Sequence, residues 1–257
     1  MLHKPLRKNT YYCCAICRKG KPSTNEDCVA VGKHIIRNED IDINAKGTLF
    51  VAVADGVSNS GNGAFASKMC LRMLTKSNRG NNDLAKKAIN IHKKLLKHGK
   101  THEEYHDMQT TLCALLIEKN GRLRYVNVGD SRLYHFKNNE LKQLSKDQSF
   151  VEMLYDKGKI SQEQKHIHSS KNLVLSAMGA VSKQPEPEVS KISKSFDIGD
   201  IYMLCSDGLS DYMLDADIEA VLIQPIPLTQ RLQRLYDLAI NNGSSDNISI
   251  VAVSKIQ

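Results

Sequence analysis

The sequence predicts an α+β protein in which largely antiparallel β-sheets carry helices on their outer faces. Short apolar runs occur in pairs separated by turn residues, as expected for β-hairpins. Stretches with helical periodicity lie between these blocks of strands, where they can pack on a sheet from outside. The two clearest hairpins are Thr110–Glu118 with Leu123–Asn127 across Asn120-Gly121, and Leu133–Phe136 with Leu141–Leu144 across Asn138-Asn139.

The N-terminal part of the chain predicts three strands followed by two helices. The strands are apolar runs that end at polar turns, and the helices repeat apolar residues at spacings of three and four. The predicted elements are strands Tyr11–Cys17, Cys28–Gly32 and Thr48–Ala54, a polar turn Lys19–Asp27, a polar loop Asn38–Lys46, and helices Ala64–Leu74 and Lys86–Lys100.

Residues 149–180 are interpreted as a flap inserted into a single domain that spans residues 1–257. A helical, a polar and an apolar stretch follow one another in this segment, and strand-like blocks flank it. These stretches are Phe150–Lys157, Lys159–His168 and Leu173–Met178. Beyond the flap we expect an extended connection through Pro185 and Pro187 to Ile192–Phe196, then helices Asp215–Ile223 and Leu228–Ala239 and a last strand Ile248–Val253.

The composition is typical of a soluble protein, with 41% hydrophobic residues, 25% charged residues and a mean hydropathy of −0.38. No apolar run approaches the roughly 18 residues that a membrane helix needs. The basic N-terminal stretch MLHKPLRKNT is not followed by the apolar segment of a secretion signal. We therefore expect a cytoplasmic protein without a membrane partner, acting as a monomer.

The net charge of +8 raises the question of a nucleic-acid partner. Much of the excess lies in the N-terminal tail and in Lys86–Lys100, where most lysines lie off the apolar face of an amphipathic helix. A solvated helix face explains that pattern without any partner. No nucleic-acid motif accompanies it, and aromatic residues make up only 5% of the chain. We therefore expect no nucleic-acid partner, and binding through the Lys86–Lys100 face is a minor alternative based on charge alone.

The seven cysteines are interpreted as reduced, mostly buried residues. Cys13, Cys14 and Cys17 include a C-x-x-C spacing. A zinc site would need a second ligand pair, and a redox motif would need a βαβ context. Neither is evident, so reduced cysteines in a first strand are the favoured interpretation.

Acidic residues stand at five corners of the predicted sheets, four of them on strongly apolar strands. Turn chemistry alone explains any single Asp-Gly or Asp-Asn corner. Five such corners indicate carboxylates gathered at one edge of a sheeted core, and oxygen ligands of this kind suit Mg²⁺ or Mn²⁺. The corners are Glu26-Asp27, Asp55-Gly56, Asp130, Asp207-Gly208 and Asp246-Asn247.

Motifs for several other chemistries are absent from the sequence. No cysteine has an arginine six positions later, as a cysteine-phosphatase loop requires. The phosphate-binding loops G-x-x-x-x-G-K-[ST] and G-x-G-x-x-G are missing, as is the G-x-S-x-G elbow of hydrolases. The nine histidines contain no H-E-x-x-H zinc motif. The acidic corners, and with them a carboxylate site for hard cations, are therefore the favoured chemistry.

Eight short motifs follow one another along the chain. They are N-E-D (Asn25–Asp27), V-A-D-G (Val53–Gly56), G-x-x-A-S (Gly63–Ser67), T-T-L (Thr110–Leu112), V-G-D-S-R (Val128–Arg132), D-Q-S (Asp147–Ser149), C-S-D-G-L (Cys205–Leu209) and S-D-N-I-S (Ser245–Ser249). Each motif is weak alone, but the ordered set resembles the metal-dependent protein phosphatase family of type 2C in its compact bacterial form. The resemblance extends from about Tyr11 to Val253.

The resemblance implies a four-layer α-β-β-α sandwich with a metal centre at one end, and a flap that helps to choose substrates. It implies hydrolysis of phosphoserine and phosphothreonine on proteins by metal-activated water, with two Mn²⁺ or Mg²⁺ ions and a third in bacterial relatives. The catalytic carboxylates would be Asp55, Asp207 and Asp246. The implied metal ligands are Asp27, Asp55, the Gly56 carbonyl, Asp207 and Asp246, with Glu26 acting through water and Asp130 joining Asp207 at the third ion.

The chain departs from the family pattern in two respects. Pro22 stands where the family usually has an arginine that grips the substrate phosphate, so Lys21 or Arg18 would have to bind phosphate instead. A lysine lacks the planar fork of arginine, which predicts weaker or differently shaped phosphate binding. Val57 and Ser60 stand where relatives carry a histidine, and neither can supply an imidazole acid.

The leading hypothesis is a bacterial signalling enzyme that removes phosphate from the protein substrates of a serine/threonine kinase. The alternative is a catalytically weak pseudophosphatase that binds phosphoproteins in the same cleft. The missing arginine and histidine favour the alternative, whereas the complete set of acidic residues favours an active enzyme.

Overall fold

The computed structural model describes residues 9–57, 62–76, 83–192 and 196–256. Within these ranges the strands are β1 Thr10–Arg18, β2 Cys28–Val31, β3 His34–Ile36, β4 Glu39–Lys46, β5 Leu49–Ala54, β6 Gly56–Val57, β7 Gln109–Thr110, β8 Leu112–Ile117, β9 Leu123–Val128, β10 Arg132–Lys137, β11 Glu140–Gln143, β12 Glu188–Ile192, β13 Ile201–Cys205 and β14 Ile248–Lys255. The α-helices are α1 Gly63–Lys76, α2 Leu84–Thr101, α3 Phe150–Asp156, α4 Gln162–Ile167, α5 Asp207–Ser210, α6 Asp215–Leu222 and α7 Leu228–Asn241, and a 3₁₀ turn covers Glu103–Tyr105.

The described strands form two six-stranded sheets and one short two-stranded pairing. The first sheet has the order β11-β10-β13-β14-β1-β4, and the second has the order β12-β9-β8-β5-β2-β3. Neighbouring strands are antiparallel throughout both sheets. The β6-β7 pair is separate from both and lies just after the exit of β5.

The two sheets pack face to face, and helices cover their outer faces. Alternate residues of both sheets fill the space between them, as the two-residue period of a strand requires. Val51 and Leu115 from the second sheet meet Leu204 and Val251 from the first in this inner layer, and all four are fully buried. Helices α1 and α2 pack on the second sheet, and α5, α6 and α7 pack on the first. The predicted α-β-β-α sandwich is therefore confirmed.

The predicted hairpins are also confirmed. In the register of β8 with β9, Leu112 lies opposite Val128 and Ile117 opposite Leu123. Strands β10 and β11 are joined by Asn138 and Asn139, whose φ angles are 53° and 64°. Asparagine tolerates this left-handed backbone better than most residues, so the Asn-Asn pair suits a tight two-residue turn.

The polar loop predicted at Asn38–Lys46 is wrong, because residues Glu39–Lys46 form strand β4. This strand lies at the edge of the first sheet and pairs with β1. Its Ile41, Ile43 and Ala45 alternate with exposed polar residues and pack against the inner layer. One face in water explains why the polar residues outnumber the apolar ones in the sequence.

The flap segment 149–180 contains α3 and α4 and is held at both ends by strand-like pairing. Ser149 pairs with Val174 at one end, and Thr110 pairs with Met178 at the other. Helix α4 lies in the stretch that the sequence indicated only as polar, and a capping box between Ser161 and Gln164 begins it. A short helix capped by polar residues thus lies in a stretch whose hydrophobic pattern did not predict one.

The seven cysteines are all buried and free, so the interpretation of Cys13, Cys14 and Cys17 as reduced strand residues is confirmed. Burial raises the pKa of the Cys13 thiol to about 12, which disfavours the reactive thiolate form. Within the described ranges, no helix combines the length and apolar character needed to cross a membrane.

Truncating Leu115 tests the packing between the two sheets. Leu115→Ala is expected to lower the free energy of unfolding by about 2–5 kcal/mol, because it removes a buried side chain and leaves a cavity. Leu238→Ala, at a position that is 37% exposed on α7, is the matched control and is expected to change it by about 0.5 kcal/mol or less. Urea denaturation measures both, and equal losses for the two variants would contradict this packing.

Candidate metal centre

Five aspartates converge at one end of the sandwich, and we call Asp27, Asp55, Asp130, Asp207 and Asp246 the acidic cluster. Strand register explains how residues so far apart in sequence meet. Cys28 lies opposite Ala54 in the β2-β5 pair, so Asp27 and Asp55, the next residue on each strand, come side by side. Cys205 lies opposite Ile250 in the β13-β14 pair, which brings Asp207 near the start of β14 and the preceding Asp246.

A serine connects the two sheets within the acidic cluster. The hydroxyl of the fully buried Ser206 donates a hydrogen bond of 2.8 Å to Asp27 Oδ2. The same hydroxyl oxygen accepts a hydrogen bond of 3.1 Å from the backbone nitrogen of Ser249. Because Ser206 follows β13 and Asp27 precedes β2, this pair fixes one sheet relative to the other at the cluster.

Asp55 is the electrostatic centre of the acidic cluster. Its side chain shares hydrogen bonds with those of Asp27 and Asp207. Burial, followed by the charges of the other four cluster aspartates, raises the pKa of Asp55 well above its ordinary value. The other four carboxyl groups therefore lie close enough for their charges to act on Asp55.

Other members of the cluster have raised pKa values for the same reasons. Burial is the main cause of the rise in the pKa of Asp27 to about 6, and the charge of Asp246 adds to it. Burial together with the charges of Asp147 and Asp211 raises the pKa of Asp130 to about 7. Burial and the charges of Asp130 and Asp246 raise the pKa of Asp207 well above the usual range. The ionised form of each of these three carboxyl groups is therefore disfavoured unless a cation binds beside it.

The donor atoms of the cluster fit a hard divalent cation. One buried carboxylate oxygen, Oδ1, has no hydrogen-bond donor in each of Asp27, Asp130 and Asp207. An unpartnered buried oxygen is costly, and coordination of a cation removes that cost. In the part of the chain that the structure describes, no three or more His, Cys, Asp or Glu side chains are already spaced as a metal-ligand set, and Asp55 shares hydrogen bonds with Asp27 and Asp207.

Gly56 lies where three backbone segments approach one another closely. A Cβ atom on Gly56 would lie 2.4 Å from the carbonyl carbon of Gly63 and 2.7 Å from the carbonyl oxygen of Glu26. Any side chain at this position would therefore push α1 and the Glu26–Asp27 backbone away from Asp55. Glycine is required here because no side chain fits, and not because the backbone adopts a left-handed φ angle.

The backbone of Asp55 is held by the two threonines of the T-T-L motif. The Asp55 nitrogen donates to Thr111 Oγ1 at 3.0 Å. The Asp55 carbonyl accepts hydrogen bonds from the Thr111 nitrogen at 2.7 Å and from Thr110 Oγ1 at 2.8 Å. These contacts fix the exit of β5 and leave the Asp55 carboxyl group free to face the cluster.

Asn247 holds the loop that precedes Asp27 against Asp246. Its Nδ2 donates to the carbonyls of Lys19 at 2.6 Å and Thr24 at 2.9 Å, and its Oδ1 accepts from the Glu26 nitrogen at 2.7 Å. Glu26 is half-buried beside Asp27. The loop that carries Glu26 is thus attached to the same turn as Asp246.

Lys21 and Arg18 occupy different surroundings. Lys21 is exposed in the loop that Asn247 holds at the cluster. Arg18 forms an ion pair with Asp40, donates a 2.9 Å hydrogen bond to Gln233, and lies 4.7 Å from the centre of the Tyr236 ring. The structure therefore favours Lys21 over Arg18 as the candidate phosphate ligand, because the Arg18 guanidinium already has its partners away from the cluster.

Of the two positions at which relatives carry a histidine, Val57 can be located and Ser60 lies outside the described residues. Val57 is paired with Gln109 in the short β6-β7 ladder directly after Gly56. It presents a hydrocarbon side chain, so position 57 has no titratable group. Pro22 is half-buried in the same loop as Lys21.

The flap reaches the edge of the cluster through Lys171. Its Nζ lies 3.6 Å from Asp211 Oδ2, 3.3 Å from the Asp211 carbonyl oxygen, and 4.4 Å from the centre of the Tyr212 ring. Asp211 in turn is one of the charges that raise the pKa of Asp130 and Asp207. The flap thus contacts the side of the cluster where Asp130 lies.

Sequence reasoning identified the acidic residues but did not assign roles to the residues that hold them. Ser206, Thr111 and Asn247 were all inside the recognised motifs, so their positions next to cluster aspartates were the available signal. Asp211 lay outside every motif. No local pattern marked it, because its effect depends on contacts across the fold.

Comparison with known proteins identifies the family. The family model for protein phosphatase 2C matches residues 37–239. This range covers most of the chain and contains three of the five cluster aspartates, Asp55, Asp130 and Asp207. The chain belongs to the protein phosphatase 2C family.

Curated relatives include bacterial serine/threonine phosphatases. The chain is 32% identical over 228 residues to the serine/threonine protein phosphatase PstP of Mycobacterium tuberculosis, covering 86% of this chain but only 43% of that protein's length. It is 31% identical over 215 residues to the serine/threonine phosphatase stp of Listeria welshimeri, covering 80% of this chain and 84% of the relative.

Solved structures share the fold over nearly the whole chain. The crystal structure of the Mycobacterium tuberculosis phosphatase PstP/Ppp has a TM-score of 0.79 at 29% identity and covers 96% of this chain and 98% of its own. A structure of the PstP catalytic domain in complex with two manganese ions has a TM-score of 0.76 at 28% identity, with 96% and 100% of the two chains covered.

The raised pKa values predict an unusual pH dependence of stability in the presence of EDTA. The folded protein holds protons on Asp130 up to about pH 7, whereas the unfolded chain releases them near the ordinary pKa of 3.8. Because the folded state binds more protons in this window, the free energy of unfolding is expected to fall as the pH rises from about 4 to about 7.

Asp130→Asn is expected to make this pH dependence shallower, because it removes one of the titrating groups. The exposed Asp237→Asn is expected to leave it unchanged. Urea denaturation across this pH range measures the slopes, and stability that rises through the window in the wild type would contradict the assignment.

Proposed function

We propose that this chain is a metal-dependent protein phosphatase that hydrolyses phosphoserine and phosphothreonine in other proteins. The observation that carries the proposal is the acidic cluster, in which five aspartates converge and Asp27, Asp130 and Asp207 each leave a buried carboxylate oxygen without a hydrogen-bond donor. Membership of the protein phosphatase 2C family and similarity to the listerial phosphatase support the same activity.

The proposed cofactor is Mn²⁺ or Mg²⁺. Asp27, Asp55, the Gly56 carbonyl, Asp207 and Asp246 would hold two ions, and Glu26 would act through water. Asp130 would join Asp207 at a third ion. The similar catalytic domain solved with two manganese ions supports this assignment. When bound, the ions would supply a hydroxide nucleophile at neutral pH and neutralise the phosphoryl oxygens.

The residues of the chain perform the remaining tasks of the proposed reaction. Asp55 and its neighbours give up their shared protons when they bind cations, since carboxylates coordinate in their ionised form. Lys21, on the loop beside Asp246, would attract the substrate phosphate as a single point charge. Val57 cannot protonate the departing serine or threonine oxygen, so that proton would come from solvent.

The wider setting is also proposed. The substrates would be phosphoproteins made by a bacterial serine/threonine kinase, in the cytoplasm, and the protein would act as a monomer without a nucleic-acid partner. Residues 149–180 would be a substrate-selecting flap of a single phosphatase domain, and the Lys171 contact with Asp211 links that flap to the cluster.

A catalytically weak phosphoprotein-binding protein remains the second candidate. Pro22 in place of an arginine and Val57 in place of a histidine favour it, because both changes remove groups that would handle the phosphate or the leaving group. The complete acidic cluster favours the enzyme, since a binding protein would gain nothing from five carboxyl groups gathered in one poorly solvated place.

Turnover of para-nitrophenyl phosphate and a phosphothreonine peptide, with Mn²⁺ or with EDTA, tests the proposal. The wild type is expected to be active only with the metal. Asp207→Asn and Asp55→Asn are expected to lower kcat by roughly 100-fold or more, because removal of one group that stabilises a transition state usually has an effect of this size. The surface variant Asp237→Asn is the control and is expected to keep wild-type activity. A folded wild type without metal-dependent turnover would instead support the phosphoprotein-binding candidate.

Replacing Lys21 tests its contact with the phosphate. Lys21→Ala is expected to raise KM for the phosphopeptide about two- to fivefold with little change in kcat, since an exposed ion pair contributes up to about 1 kcal/mol. Lys33→Ala, in the turn between β2 and β3 at the other end of β2, is the matched control. An unchanged KM in Lys21→Ala would exclude this role.

A further inference from the structure

Arg37 connects the backbone behind the acidic cluster to helix α1. It follows β3 and is half-buried. Its Nε donates to the carbonyl oxygen of Asp27 at 2.8 Å, and its Nη2 donates to the carbonyl oxygen of Ala64 at 2.5 Å and to Ser67 Oγ at 2.9 Å. One planar guanidinium thus joins the start of β2 to the first turns of α1.

Ser67 extends this connection to the residue before Asp27. Its side chain is fully buried, and its hydroxyl donates to the Glu26 carbonyl at 2.5 Å while accepting from Arg37. The carbonyls of Glu26 and Asp27 are therefore both held, one by the serine and one by the arginine. The orientation of these two peptide units decides where the Glu26 and Asp27 side chains can reach.

The same helix controls the position of Gly56. Helix α1 begins at Gly63, and the backbones of Gly56 and Gly63 touch so closely that a Cβ on Gly63 would lie 2.6 Å from the carbonyl carbon of Gly56. The Arg37 contacts with Ala64 and Ser67 fix the helix turn that presses against Gly56. Arg37 therefore acts on two of the segments that would supply metal ligands.

Arg37 influences the cluster through geometry rather than through its charge. The main influences on the pKa of Asp27 are burial, serine hydrogen bonds, and the carboxyl groups of Asp246 and Asp55. The guanidinium faces carbonyl oxygens on the far side of the Asp27 backbone. Only arginine offers several donors in one rigid plane, so a lysine would keep the charge and lose the simultaneous contacts.

We propose that Arg37 is a positioning residue that holds the Asp27 and Gly56 backbones in the arrangement needed to bind divalent cations. This inference rests on the proposed function of the acidic cluster. Ser67 has the same positioning role, because its hydroxyl accepts a hydrogen bond from Arg37 and donates one to the Glu26 carbonyl. Neither residue touches the substrate or the ions.

Isothermal titration of the EDTA-treated and desalted full chain with MnCl₂ tests this role without relying on activity. Arg37→Lys and Ser67→Ala are expected to weaken Mn²⁺ binding about 10- to 100-fold, the range seen when residues behind a metal ligand are changed. Arg72→Lys is the matched control on the exposed face of α1 and is expected to bind Mn²⁺ like the wild type. At saturating Mn²⁺ the Arg37→Lys variant is expected to recover most of the wild-type kcat.

The outcomes separate this inference from the proposed function. A wild-type Mn²⁺ affinity in Arg37→Lys would overturn the positioning role while leaving the proposed activity intact. The role would also be overturned if Arg37→Lys failed to fold in EDTA, since a general structural contribution would then explain the loss. A wild type that binds Mn²⁺ but does not hydrolyse phosphopeptide would remove the proposed activity and leave the positioning role standing.

Discussion

The constraint on which the rest of the structure depends is the convergence of five aspartates in a poorly solvated space at one end of the sandwich. Burial, followed by the charges of neighbouring carboxyl groups, raises the pKa values of Asp55, Asp130 and Asp207, because like charges repel strongly where water is excluded. A protein selected for stability alone would not keep such an arrangement. The ionised carboxyl groups are therefore unfavourable in the absence of a cation, and binding of cations would remove that unfavourable free energy, as expected at a site for hard metal ions.

The surrounding structure opposes this repulsion mainly with neutral hydrogen bonds. Thr111 holds the backbone of Asp55, Ser206 joins Asp27 to the opposite sheet, and Asn247 attaches the preceding loop to the turn of Asp246. These residues sit at strand ends, where the rigid sheets define their positions closely. Because the contacts are neutral, they fix geometry without satisfying the charge that a metal would neutralise.

The sequence was sufficient to predict elements whose residues are buried on both faces. It was insufficient for elements with one face in water and for contacts between residues far apart in the chain. Continuous apolar runs such as β5 predicted buried strands, and Asp55 at the exit of β5 predicted the corner of the site. Edge strand β4 was missed because one of its faces lies in water, so polar residues obscured the alternation. Ser206 and Asp27 are 179 positions apart, and Arg37 acts through two backbone carbonyls and the Ser67 hydroxyl. No local pattern encodes contacts of these two kinds.

The central claim is that the acidic cluster binds two divalent cations with Asp55 between them. Anomalous diffraction from crystals grown with MnCl₂ tests it most directly, since manganese scatters anomalously and the protein carboxylates do not. Two strong peaks are expected on either side of the Asp55 carboxylate, within coordination distance of Asp27, Asp207 and Asp246. Peaks confined to other parts of the molecule, with hydrogen-bonded carboxylates still filling the cluster, would contradict it.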